Sequence, residues 1–162
     1  MPERMEERVG AILKRRKMTL AVAESCTGGL IGSRITDVPG SSAYFLGGII
    51  AYANEAKASL AGVRMETLTA YGAVSEQTAR EMAAGVRRAF GATVGLAVTG
   101  IAGPGGGAPE KPVGMVWLAL SAGETGRTRL LRLQGDRLQN KADAAEYALR
   151  LLVECLAGLP PA

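Results

Sequence analysis

Four apolar residues, Leu20 to Ala23, lead through Glu24 to Ser25 and Cys26, and Thr27-Gly28-Gly29 follow before a helical pattern begins. A hydroxyl and a thiol thus stand where a buried strand ends and a helix starts. Backbone N–H groups converge at such a junction, and the helix dipole favours negative charge there. The segment Cys26-Thr27-Gly28-Gly29 therefore suits an oxyanion hole beside a nucleophilic Ser25. A serine at this position also reads as a plain helix cap, and spacing alone leaves both readings open. The chain contains no histidine, so a Ser-His-Asp triad is excluded and any base must be of another kind. Ala23 and Thr27 occupy the places that glycines take in the Gly-x-Ser-x-Gly elbow, which this turn is not. Cys26 is a rival nucleophile, since a helix N-terminus lowers a thiol pKa. At a strand exit of this kind it is expected to turn toward the helix interior.

A serine without histidine can be served by a lysine. Lys57 follows Tyr52-Ala53-Asn54-Glu55-Ala56, one helical turn past the exit of a second apolar segment. In a site of low dielectric its amine loses a proton more readily and becomes a base. Tyr52 is placed to relay a proton or orient that amine. The interval is one residue too long for the Tyr-x-x-x-Lys of short-chain dehydrogenases, and an ordinary surface lysine has the same spacing. Thr99-Gly100-Ile101-Ala102-Gly103-Pro104-Gly105-Gly106-Gly107 has glycine at five of nine positions. Such a loop can bring N–H groups close to a phosphate, and it is equally a flexible surface loop. It is neither a Walker A motif nor a GxGxxG. Arg137, after Gly135-Asp136, reads either as a helix-entry arginine or as a bidentate phosphate contact.

These residues need a scaffold. Met5, Val9, Ile12 and Leu13 share a face and predict a helix over 4–17, followed by a strand over 19–24 and a helix over 28–36. The turn cluster 37–42 precedes a strand over 44–52, and Asn54 is expected to cap a helix reaching Leu60. Ser75 predicts the cap of a long helix whose inner face is Ala79, Met82, Ala83, Val86 and Phe90. A strand over 93–98 runs into the glycine loop. Segments 113–120 and 128–133, linked around Gly123 to Gly126, read as an antiparallel hairpin. A last helix is expected over 140–157, with Ala148, Leu151, Leu152 and Cys155 inward and Pro160-Pro161-Ala162 frayed. Helices alternate with strands before a hairpin, so the fold class is a three-layer α/β/α domain with a mixed sheet. One domain over 1–162 is expected, ordered from about 4 to 157. Ligands of such sheets bind beyond the carboxyl ends of the strands, where the Ser25 turn, the Tyr52–Lys57 segment and the glycine loop are expected to meet.

Composition narrows the class further. With 48% hydrophobic and 4% aromatic residues, the core must be aliphatic and rich in alanine. No apolar run approaches the ~20 residues of a membrane span, and the charged start Glu3-Arg4-Met5-Glu6-Glu7-Arg8 is unlike a signal peptide, so a cytoplasmic location is expected. Two cysteines and no histidine offer no disulfide framework and no metal set; neither metal nor cofactor is expected. The net charge of +4 is modest, and no aromatics interleave with Lys14-Arg15-Arg16-Lys17, which argues against nucleic acid and for an anionic small ligand.

Taken together, Ala23-Glu24-Ser25-Cys26-Thr27-Gly28-Gly29, Tyr52-Ala53-Asn54-Glu55-Ala56-Lys57, Gly72-Ala73-Val74-Ser75 and the loop from Thr99 to Gly106 resemble the C-terminal domain of competence/damage-inducible CinA proteins. The likeness continues through Glu110-Lys111-Pro112-Val113-Gly114 and Gly135-Asp136-Arg137, and it implies the stand-alone form as an expectation. The resemblance implies a nicotinamide-nucleotide amidase that hydrolyses nicotinamide mononucleotide to nicotinate mononucleotide and ammonia. It also implies an α/β/α fold, no metal, and a homo-oligomer, with a dimer favoured. The family's serine, tyrosine and lysine fall on Ser25, Tyr52 and Lys57. The substrate would then lie against Cys26 to Gly29, Thr99, Gly100, Gly103, Gly105, Gly106 and Arg137. Asn140-Lys141 departs from the Ile-Arg that family members commonly carry there. The alternative reading is a non-catalytic nucleotide-binding or competence-associated interaction module.

Overall fold

A computed structural model describes residues 1–159; the Pro160-Pro161-Ala162 end lies outside the described residues. In chain order the elements are α1 (Met5–Arg16), β1 (Leu20–Glu24), α2 (Leu30–Thr36), β2 (Phe45–Ile50), α3 (Asn54–Ser59), α4 (Met65–Tyr71), α5 (Glu76–Phe90), β3 (Val94–Gly100), β4 (Met115–Ala122), β5 (Thr125–Arg132) and α6 (Arg137–Leu156). The sheet order is β2-β1-β3-β4-β5. β1 is parallel to both β2 and β3, while β3, β4 and β5 are antiparallel in turn. This is the mixed α/β sheet expected from the alternation of elements. No helix among the described residues is long and apolar enough to cross a membrane.

The two faces of the sheet carry different side chains, because strand residues alternate sides. Leu20 and Val22 of β1, Leu96 and Val98 of β3, and Leu118 and Leu120 of β4 pack with α1, α2 and α6 in a large aliphatic core. On the other face Ala21, Ala23, Ala97 and Ala119 meet Ala79, Met82, Ala83 and Val86 of α5. Small residues there let α5 lie close. A Cβ on Gly95 of β3 would stand 2.1 Å from the Ala83 carbonyl oxygen, and one on Gly85 would stand 1.9 Å from that of Ala61. Glycine at both positions is thus a packing requirement.

Several boundaries differ from expectation. α4 was not anticipated, because only Thr67 and Leu68 of its seven residues are buried and the apolar period is too short to register. α6 starts at Arg137, not 140, with the Asp136 carboxylate accepting from the Gln139 N–H at 2.9 Å. Ala53 is the N-cap of α3, so Asn54 is its first residue and caps nothing. β4 lies two residues later than expected and β5 starts three residues earlier, which leaves only Gly123-Glu124 between them. Cys155, expected in the core, is half-buried at the core's margin. Ser75 does cap α5, accepting from the Thr78 N–H at 3.1 Å.

Gly95→Ala is expected to destabilise the fold by about 1–3 kcal/mol in denaturant unfolding, since the helix backbone must move away. Gly105→Ala is the matched control: a Cβ there meets nothing within 4 Å, and unfolding should be unchanged.

Candidate active site

Strand register brings the predicted segments together. Glu24 pairs with Ile50 on one side and with Val98 on the other, so the three parallel strands end side by side. The Ser25 N–H extends the ladder by donating to the Val98 carbonyl at 3.0 Å, and the Ala51 N–H donates to the Glu24 carbonyl at 2.8 Å. A cavity of about 210 Å³ opens at this edge, lined by Ser25, Cys26, Tyr52, Asn54, Lys57, Ala73, Val74, Thr99, Gly100, Ala102 and Arg137.

Lys57 decides the chemistry of that cavity. It is 2% exposed, and its Nζ lies 3.0 Å from Ser25 Oγ. The same nitrogen donates to the carbonyls of Ala51 and Tyr52, each at 2.9 Å. No carboxylate is among its partners. Burial pushes the Lys57 amine below the usual lysine range. A neutral amine has two N–H groups and one lone pair. The two carbonyls take the N–H groups, and the lone pair then faces the serine hydroxyl. That is the geometry of a general base on a nucleophile.

The Ser25 turn supplies donors as well. The Gly28 N–H is spent on the Ser25 carbonyl at 3.0 Å, so it is not free for an oxyanion. The N–H groups of Thr27 and Gly29 have no partner among the described residues, and that of Cys26 faces its own thiol. Cys26 is buried, and burial raises its thiol to about 11, the reverse of what a helix N-terminus alone would do. The thiol stays protonated at neutral pH, and Ser25 is the better-served nucleophile.

Tyr52 enters differently from expectation. Its main-chain carbonyl, not its phenol, touches Lys57. The ring is 61% exposed, and its hydroxyl accepts from the Arg137 guanidinium at 3.1 Å. Arg137 also donates to the Gly103 carbonyl at 2.7 Å, and so ties β2's exit, the glycine loop and the start of α6 together.

A model of the CinA C-terminal domain matches residues 2–156. The chain belongs to that family. It is 50% identical to a CinA-like protein of Chloroherpeton thalassium over 94% of the chain, and 53% identical to one of Desulfovibrio desulfuricans over 91%. The chain spans only 37% and 36% of the length of those two proteins. Among solved structures it matches a CinA superfamily protein of Klebsiella pneumoniae with a TM-score of 0.92 and 35% identity, covering 96% of this chain and 97% of that one. The competence/damage-inducible protein CihA of Agrobacterium tumefaciens matches with a TM-score of 0.89 and 41% identity over 97% of this chain and 98% of that one.

Within this CinA domain the glycine loop divides into two parts. Thr99 and Gly100 line the Ser25 cavity, but Gly103, Gly105 and Gly106 do not. Gly103 and Gly106 instead adopt positive φ of 88° each and turn the chain. Thr99 Oγ1 donates to the Ala73 carbonyl at 2.8 Å, which draws the Gly72–Ser75 segment to the cavity wall. Asn140, at the position that departs from the family pattern, is 1% exposed. It accepts from the Gly135 N–H at 2.9 Å and donates to the Ala102 carbonyl at 3.0 Å, securing the loop to α6. Lys141 Nζ lies 3.8 Å from where a Cβ on Gly28 would stand, beside the Ser25 turn. Ala73, Val74 and Asn54 were not anticipated in the site. Asn54 could have been found, since it precedes Lys57 by three residues and shares its helix face.

The pH dependence of stability tests the state of Lys57. Unfolded Lys57 binds more protons than folded Lys57 between its lowered and its ordinary pKa. Stability is therefore expected to rise with pH through that window. In denaturant unfolding from neutral to alkaline pH, wild type should gain stability relative to Lys57→Met, which cannot titrate. A pH-independent difference would show that the amine is not depressed.

Proposed function

We propose that this CinA domain is a nicotinamide-nucleotide amidase that converts nicotinamide mononucleotide to nicotinate mononucleotide and ammonia. The observation that carries the reading is the buried Lys57 amine, 3.0 Å from Ser25 Oγ and held by two carbonyls with no acid beside it. Ser25 Oγ attacks the carboxamide carbon while its proton passes to Lys57 Nζ. The oxyanion is held by free N–H groups of the Cys26–Gly29 turn. The C–N bond then breaks as Lys57 returns the proton to the leaving nitrogen, which departs as ammonia. Water, deprotonated by Lys57, attacks the ester carbon; the bond to Ser25 Oγ breaks as Lys57 returns that proton to Oγ, and the carboxylate is released.

Room and charge for a nucleotide support the same reading. Ala102 and Arg137 line both the Ser25 cavity and a neighbouring cleft of about 500 Å³. Leu138 links that cleft to a third concavity of about 440 Å³ that contains Lys141. The groove runs past two cations, and neither forms an ion pair among the described residues. Arg137 or Lys141 would hold the 5′-phosphate, and that remote binding would place the amide at Ser25. Gly105 and Gly106 line none of these three concavities.

Ammonia release from nicotinamide mononucleotide tests the proposal. Ser25→Ala and Lys57→Ala should each lower kcat by about 10³-fold, and full activity in Ser25→Ala would end the nucleophile assignment. The pH profile of kcat/KM should climb through a limb set below the usual lysine range, because the base must be neutral. Arg137→Ala is expected to raise KM by about tenfold while kcat falls less, as removal of a ground-state contact does. Nicotinamide riboside turned over as well as the mononucleotide would remove the phosphate contact from the scheme. Nucleotide binding without ammonia release would favour a non-catalytic module.

A further inference from the structure

Glu24 stands next to the nucleophile and takes no part in the chemistry above. It is an ionisable side chain in a buried strand, 2% exposed, with no basic partner among its hydrogen bonds. Its carboxylate is met by three donors. Oε1 accepts from the Thr27 hydroxyl at 2.6 Å and from the Ile31 N–H at 2.9 Å, and Oε2 accepts from the Gly32 N–H at 3.0 Å. Every partner is a donor, which matches an acceptor-only carboxylate.

The pleat explains the arrangement. Adjacent residues on an extended strand point to opposite faces. Ser25 turns toward α3 and Lys57, so Glu24 must turn toward α2. There it meets N–H groups of the first helical turn that have no helical acceptor. The link from Glu24 to Thr27 closes a ring around Ser25 and Cys26. The main chain fixes the same turn from the other side, through Ser25 N–H to Val98 and Gly28 N–H to Ser25, each at 3.0 Å. The backbone of the turn is therefore held at both ends while the N–H groups of Thr27 and Gly29 are left unspent.

We infer that Glu24 is a positioning residue for Ser25: its carboxylate, by binding Thr27, Ile31 and Gly32, sets the turn that aims the serine and its oxyanion donors. This rests on Ser25 being the nucleophile but not on which amide is the substrate. It also means that the N–H groups of Ile31 and Gly32 are already committed and do not receive the substrate phosphate.

The test uses Glu24→Gln, Thr27→Val and Thr27→Ser in the full chain. In Glu24→Gln the side-chain oxygen can keep Thr27 and Ile31, but an NH₂ group then faces the Gly32 N–H. Two readouts are taken: the rate at which a fluorophosphonate probe labels Ser25, and kcat and KM for ammonia release from nicotinamide mononucleotide. Glu24→Gln is expected to slow labelling and lower kcat by about 10²-fold each, with KM within about threefold of wild type. Thr27→Val should slow labelling by about tenfold, and Thr27→Ser, which keeps the hydroxyl, should restore it. The threonine pair decides the matter even where Glu24→Gln folds poorly. The inference is overturned if Glu24→Gln, or Thr27→Val, labels at the wild-type rate per folded molecule, as a merely structural role would have it. Should wild type label at Ser25 yet release no ammonia from the mononucleotide, the substrate reading fails and the labelling series still judges Glu24.

Discussion

A buried amine with no acid beside it is the constraint on which the site depends. An ammonium in Lys57's position must be stripped of water, and burial alone displaces its proton equilibrium toward the neutral form. What keeps the amine in place is a pair of backbone carbonyls, from Ala51 and Tyr52. Those carbonyls are available because β2 ends at Ile50 and α3 begins at Asn54, so no main-chain N–H among the described residues claims them. A side chain with freely rotating donors is thus oriented by groups that do not titrate. The serine needs only to sit at the remaining position of the nitrogen, and the register of β1 against β2 places it there.

The unequal faces of the sheet serve this arrangement. Leucines and valines crowd one side, where α1, α2 and α6 lie over them, and alanines and glycine line the other. The thin side lets α5 approach closely, with contacts that leave no space for a side chain on Gly95. α3 and α4 bridge from the edge strand to α5, and Lys57 is carried inward on α3. Large residues on that face would hold α5 away from the sheet and disturb the wall against which Lys57 is buried. The alanine-rich composition thereby belongs to the site as much as to the core.

Much of this was legible in the sequence because it depended on local pattern. The apolar run into Ser25, the cap at Ser75 and the hairpin around Gly123 all follow from residue types a few positions apart. The convergence of Ser25 with Lys57 needed strand order, which periodicity does not contain. Four features were less legible, for different reasons. α4 buries too little to show a period. Tyr52, expected to relay a proton or orient the amine, meets Lys57 through its main-chain carbonyl, which residue type does not reveal, while the phenol engages Arg137. By composition the glycine loop reads as an anion cradle or as a surface loop, and composition does not tell that Gly103 and Gly106 take positive φ while Gly105 stands clear of the Ser25 cavity. Asn140 stands out in the sequence only as a departure from the Ile common in the family, and the structure gives it two hydrogen bonds, one to Gly135 five residues away and one to Ala102 38 residues away.

Two buried ionisable side chains flank one turn, and they are satisfied in opposite ways. Glu24 is surrounded by donors, and Lys57 by acceptors. A salt bridge between them would have been the simplest way to bury both charges. It would also have held the lysine protonated, since a carboxylate within ~4–6 Å favours the ammonium. A protonated amine cannot take a proton from serine. The pleat prevents that pairing by sending Glu24 and Ser25 to opposite sides of the sheet, and Glu24 is not among the charges that act on Lys57. In a chain without histidine, keeping carboxylate and amine apart leaves burial free to favour the neutral amine that the proposed base must be. Separation of the two charges, at the expense of an ion pair, is therefore a condition of the chemistry and not an accident of packing.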